Sequence, residues 1–134
     1  MTISVPSAAA FATTLAALGI PAAQAADRYG VACIFNRTSV PINFQAKVGD
    51  NQWQQFTLTP NSNRWFSHRY SRANENRSPP LEVKFDSDLR RNSLFNLTYK
   101  LPRRAAEGDT CGEGKPYAFV YESANRNFID LRAQ

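Results

Sequence analysis

From Leu81 to Leu101 the chain alternates. Leu81, Val83 and Phe85 stand between Glu82, Lys84 and Asp86. After a polar stretch, Phe95, Leu97, Tyr99 and Leu101 stand between Asn96, Thr98 and Lys100. Successive side chains of a strand point to opposite faces, so a period of two turns one set toward a core and the other toward water. These are two half-buried strands joined by a polar link, and the rest of the chain repeats the pattern.

Tyr29 to Phe35 is apolar on both faces, as in a strand covered on both sides or lying at the centre of a sheet. Pro41 opens a second strand with Ile42, Phe44, Ala46 and Val48 inward, and Gly49-Asp50-Asn51 has hairpin chemistry. Trp53 to Thr59 follows with Phe56 and Leu58 inward, then a turn at Pro60, then Arg64 to Tyr70, which is aromatic on both faces. Ser71 to Pro80 and Pro102 to Pro116 read as long loops. Tyr117 to Glu122 (Tyr117, Phe119 and Tyr121 on one face) and Phe128 to Leu131 close the series. About eight short strands at this spacing predict an all-β fold, a single small antiparallel sandwich or barrel, and the short links predict a meander. No stretch keeps a helical period; Asp88 to Leu94 has room for one turn at most.

The chain has 134 residues, which suits one domain. Met1 to Ala26 carry no charge, Ala8 to Ile20 is an apolar run, and Ala23-Gln24-Ala25 fits a small-x-small cleavage pattern. Residues 1–25 therefore read as a signal peptide and 26–134 as the exported domain. The run is too short and too rich in Ala and Thr for a transmembrane anchor, and it lacks both the polar face of a core helix and the Lys or Arg that usually opens a signal peptide. In an exported chain, lone Cys33 and Cys111 most simply form one disulfide, worth roughly 4 to 5 kcal/mol by loop closure. With one His present, a metal pair lacks further ligands, and no metal or cofactor is expected.

Sixteen Lys and Arg against eleven Asp and Glu leave a net charge of +5. That surplus favours acidic partners in general. Arg64-Trp65-Phe66-Ser67-His68-Arg69-Tyr70-Ser71-Arg72 interleaves arginine with aromatic rings. Trp65 and Arg69 share a strand face, so they can form a stacking and charge platform for a sugar, a base or an acidic peptide. Alternatively the arginines are a solvated face lying over Trp65. The candidate binding residues are Arg64, Trp65, Arg69, Arg72 and Trp53. The strand pattern predicts Phe66 and Tyr70 inside, and Trp65 and Arg69 outside.

Catalytic signals are weak. His68 is the sole histidine, its neighbours Ser67 and Ser71 do not share its face, and no Gly-x-Ser-x-Gly elbow exists. Asp86-Ser87-Asp88 opens like a calcium loop, but Arg91 and Leu97 occupy the positions of its glycine and closing glutamate. Glu82 and Asp86 read instead as solvent-facing members of a surface ion-pair set. Gly108, Gly112 and Gly114 form no phosphate loop. Asn36-Arg37-Thr38, Asn76-Arg77-Ser78 and Asn96-Leu97-Thr98 match the glycosylation triplet, which matters only in a eukaryotic secretory host.

The reading that results is a secreted or periplasmic, non-enzymatic β-domain. It would bind an anionic glycan, an envelope component or a protein through its arginine and aromatic face. Two alternatives stand beside it: a periplasmic inhibitor of a hydrolase presenting Arg103 to Pro116 as a rigid loop, and a small hydrolase using His68. Nucleic acid fits the charge but not export.

Overall fold

The computed structural model describes residues 28–71, 79–91 and 93–134. The segment 1–25, expected from its composition to be a signal peptide, lies outside these, as do Arg72 and Asn76. Among the described residues the strands are β1 (Tyr29–Asn36), β2 (Ile42–Val48), β3 (Gln54–Leu58), β4 (Asn63–Arg69), β5 (Leu81–Phe85), β6 (Leu97–Leu101), β7 (Arg104–Ala106), β8 (Lys115–Tyr121) and β9 (Ile129–Ala133), with one 3-10 turn at Cys111–Glu113. No helix there is long and apolar enough to cross a membrane.

The strands form two sheets, ordered β4-β1-β8-β9 (with β7 also on β1) and β3-β2-β5-β6. The expected sandwich is present, but the expected meander is not. β1 runs parallel to β8, β2 pairs with β5 rather than only with its sequence neighbour β3, and consecutive β3 and β4 belong to different sheets. Short links fix which elements follow each other closely, but a link can turn a corner between sheets as readily as close a hairpin. The Thr59–Ser62 corner does so, with Ser62 N–H donating to Thr59 C=O at 3.2 Å and Asn61 at φ 61°. By contrast β2 and β3 are a true hairpin. Gly49 takes φ 58°, which a side chain would strain, and Asn51 N–H donates to Val48 C=O at 3.1 Å.

The core lies between the sheets. Ala32 and Ile34 from β1, Phe44 from β2, Val83 and Phe85 from β5, Phe119 from β8 and Leu131 from β9 belong to one buried cluster. Phe119 joins the layers: its ring centroid lies 5.5 Å from Phe44 and 5.3 Å from Phe85. The all-apolar β1 is central, as its composition predicts. Its inner residues Ala32 and Ile34 meet the core, while Val31 and Cys33 are buried on the outer side. That outer side is covered by the stretch read as a loop. Pro102 to Pro116 contains β7, which pairs with Tyr29–Val31, and the 3-10 turn, whose Cys111 is disulfide-bonded to Cys33 with 5.0 Å between the Cα atoms. Gly114 sits so close that a Cβ there would lie 2.7 Å from Val31 Cγ1.

Two local readings change. Asp86 is buried rather than solvent-facing and accepts the Asn96 N–H at 3.3 Å, because the chain turns inward as soon as β5 ends. The strand after it starts at Leu97, not Phe95, whose φ of 53° breaks the ladder. Between them, Asp88 to Arg91 form a hydrogen-bonded turn (Arg91 N–H to Asp88 C=O, 3.0 Å). The surface pair there is Asp88 with Arg90 at 2.9 Å, and the Arg90 hydrogen bonds hold the Asp88 carboxyl below the usual range.

At the β6/β9 edge the sheets are joined by Tyr99 Oη, which donates to Asp130 Oδ1 at 2.6 Å. This bond, with some burial, pushes the phenol up to about 12. Burial pushes Asp130 up, but hydrogen bonds from Tyr99, Arg132 and the Leu131 N–H outweigh it and hold the carboxyl low. An unfolded tyrosine ionises near pH 10 while native Tyr99 keeps its proton, so its contribution is whole below about pH 10 and is lost as pH rises toward 12. We expect Tyr99→Phe to cost about 1 kcal/mol at pH 7 in urea denaturation, and the deficit to shrink between those two pH values. A deficit that does not change with pH would remove the Tyr99–Asp130 bond as its source.

Candidate binding face on the fourth strand

β4 leaves the Thr59–Ser62 corner on the far side of β1 and is the terminal strand of its sheet among the described residues. The corner is held to the end of β1 by Asn36 N–H to Ser62 C=O and by Asn61 N–H to Asn36 C=O, both 2.9 Å. Register places Trp65 opposite Cys33, Ser67 opposite Val31 and Arg69 opposite Tyr29. Val31 and Cys33 face away from the core, so Trp65, Ser67 and Arg69 do too. Trp65 is 47% exposed. Phe66, in the opposite phase, is half-buried and packs edge-on against Phe56 at 5.3 Å between centroids, while Tyr70 is buried beyond the strand end. Apolar rings therefore go inside and the tryptophan outside, as the cost of burying unpaired arginine requires.

The five residues proposed from sequence do not form one cluster. Trp65 and Arg69 share a face but stand four residues apart, about 13 Å along an extended chain, so a partner must be long to meet both. Arg64 belongs to the inward phase. Its guanidinium lies over the Phe56 ring at 4.3 Å from the centroid, at the open margin between β3 and β4. Asn63, Arg64 and Trp65 line a recess of about 270 Å3. Trp53 is elsewhere, on the outer face of the other sheet, with the Lys84 and Lys47 ammonium groups at 4.3 and 5.2 Å from its ring. Arg72 lies outside the described residues.

Sequence reading missed a second recess of about 270 Å3 beside β4, walled by Val48, Phe56 and Phe66 with Lys47, Gln52 and Gln54 at its rim. Its only trace in the sequence is that Phe56 and Phe66 sit on strands flanking a corner; nothing local says that the corner changes sheet. Arg103 was also missed. Its Nη2 donates to Pro79 C=O at 2.8 Å, its Nε and Nη1 are buried with no partner among the described residues, and burial lowers its pKa.

The residues behind the other two readings are placed as follows. His68 packs its ring edge-on toward Tyr70, 6.1 Å between centroids. Arg103 to Pro116 lies along β1 under the disulfide. Among the described residues no group of three or more His, Cys, Asp or Glu is placed to hold a metal ion. Compared with protein-family models, curated proteins and solved structures, the chain matches none of them.

Proposed function

We propose that this protein is an exported, disulfide-braced β-sandwich that works by binding an anionic partner at the cell envelope or outside it, with no catalysis of its own. The contact face is the outer side of β4. One observation carries this: Trp65 stands 47% exposed on a strand whose neighbouring rings are packed away, with Arg69 on the same face. A large aromatic side chain normally stabilises a fold by burial. Left in water on the same face as an arginine, it is suited to stack on one planar or ring-shaped group of a long partner while the guanidinium meets a charge further along it. The Cys33–Cys111 bond, on the same face as Trp65 and next to it in register, braces that platform, which lowers the ordering cost of binding. The uncharged apolar segment of residues 1–25 and the disulfide both support export.

The test titrates polygalacturonate and poly-L-glutamate into the protein and reads binding by calorimetry. Trp65→Ala should leave the urea midpoint nearly unchanged and weaken binding by about 1 to 3 kcal/mol. Arg69→Ala should add a loss that fades at high salt. Binding of both probes unaltered by Trp65→Ala would remove this face as the site.

A further inference from the structure

Two features of β4 have no part in an outer-face platform. Its outer backbone edge is unpaired among the described residues. Among the described residues the margin beside that edge is also open: β3 and β4 are the terminal strands of their respective sheets, and the Val48, Phe56 and Phe66 recess lies between them. A strand laid along β4 would extend the sheet with main-chain hydrogen bonds. Its side chains would alternate between the Trp65 face and the margin.

We propose that the partner is an extended acidic polypeptide segment that adds as a strand to the free edge of β4; this rests on the binding reading above and names its partner. Charge selects the occupant. β3 and β4 carry no Asp or Glu, while Arg64 and Arg69 stand on β4 and Lys47 on the recess rim. An inward-phase arginine on an edge strand obstructs casual pairing, since a neighbour must place a side chain beside it. Against a second copy of this chain, antiparallel β4 pairing would gather four arginines in one ladder with no acid. Against an acidic strand, the same residues become cross-strand ion pairs. Position by position, the complement has acidic residues facing Arg64 and Arg69, and adjacent apolar residues facing Trp65 and Phe66, the second filling the recess. Read antiparallel, Glu-Thr-Thr-Val-Phe-Glu-Thr satisfies this against the seven residues of β4.

That peptide is the probe, used with two N-methylated forms that block alternate sets of its amides. Strand addition requires the two forms to differ. The form blocked toward β4 should bind at least tenfold more weakly than the parent, and the form blocked toward solvent should bind equally well. The β4 amides facing away from β1 should gain at least tenfold protection from hydrogen exchange. Arg64→Glu should weaken the parent peptide at least tenfold, and replacing its second Glu by Lys should restore binding to that variant. If both N-methylated forms bind like the parent and Trp65→Ala still weakens them, the outer-face reading stands and strand addition falls. Binding of polygalacturonate but not of the peptide has the same meaning, with a glycan as partner. β4 protection that rises with protein concentration alone would make a second copy the occupant and overturn the proposal. If neither probe binds, both readings fall.

Discussion

Replacing Cys33 and Cys111 together by alanine should lower the stability of the fold by about 2 to 5 kcal/mol, the largest loss expected from any change outside the core. The bond links residues 78 apart, and loop-closure entropy alone assigns it about 4.5 kcal/mol. Its position gives a second reason. Cys33 lies on the outer side of central β1, where Val31 and Cys33 are fully buried only because the 107–114 stretch folds over them. That cover consists of a three-residue 3-10 turn and one glycine contact, and it holds little apolar surface of its own. Without the bond it should open before the rest of the sandwich. Amides of residues 107–114 should lose exchange protection at urea concentrations that leave β2 and β5 intact. Global stability is read from urea denaturation of oxidised wild type against the double variant. A loss below about 1 kcal/mol would mean that the cover holds itself down and that the disulfide mainly restrains the unfolded chain less than its length implies. Because Trp65 is the register partner of Cys33, the double variant also tests whether the bond braces the binding face: affinity for the anionic probes should fall along with stability.

The strands were legible because alternation is a local property. Leu81, Val83 and Phe85 are buried and Glu82 and Lys84 are not, as their spacing says. The all-apolar run of β1 signalled a strand covered twice, and the cover proved to be the disulfide-tied stretch. Pairing was not legible. Nothing in Tyr117 to Tyr121 announces a parallel partner 80-odd positions earlier in the chain; Cys33 and Pro116 are opposed only because the fold brings both ends of the domain together. The same limit applied to the binding face. Period two placed Trp65 outside and Phe66 inside, but it could not say that the Pro60 corner switches sheets, and the recess beside Phe66 depends on that switch. Trp53 joined the candidate site on composition alone. Two lysines pack on it on a different face, a contact between residues from three segments that no window of sequence contains.

Asn36 carries the second large expectation. Its triplet with Arg37 and Thr38 matches a glycosylation site and lies in what reads as a turn, yet the side chain is only 1% exposed. Every hydrogen-bonding position of the amide is used. Nδ2 donates to Val40 C=O and to Leu58 C=O, both at 2.8 Å, and Oδ1 accepts the Thr38 N–H at 2.8 Å and the Thr38 hydroxyl at 2.7 Å. A sugar on Nδ2 would have to displace one of these two donor bonds at a buried site, so this triplet is closed to modification in the folded protein. Asn36→Ala should cost about 3 kcal/mol, because it strips partners from buried carbonyl and amide groups. The Thr38 hydroxyl, 3.0 Å from Val40 C=O, can recover only part of that loss. Asn36→Asp is the sharper variant. It keeps both acceptor bonds but turns a carboxylate toward two carbonyl oxygens, so at pH 7 it should be at least as damaging as alanine. The introduced carboxyl is then easier to bury protonated than charged, which raises its folded-state pKa. Its penalty should therefore ease as pH falls toward 4, the reverse of the usual acid destabilisation. Urea denaturation of the three proteins at pH 7 and pH 4.5 decides this. An alanine variant within about 1 kcal/mol of wild type, or an aspartate variant that worsens relative to wild type on acidification, would show the network to be dispensable. The backbone of Asn36 also holds the Asn61–Ser62 corner from which β4 departs. Loosening this residue should therefore raise hydrogen exchange first at the start of β4, beside Arg64 and Trp65, which ties a buried amide to the proposed binding face.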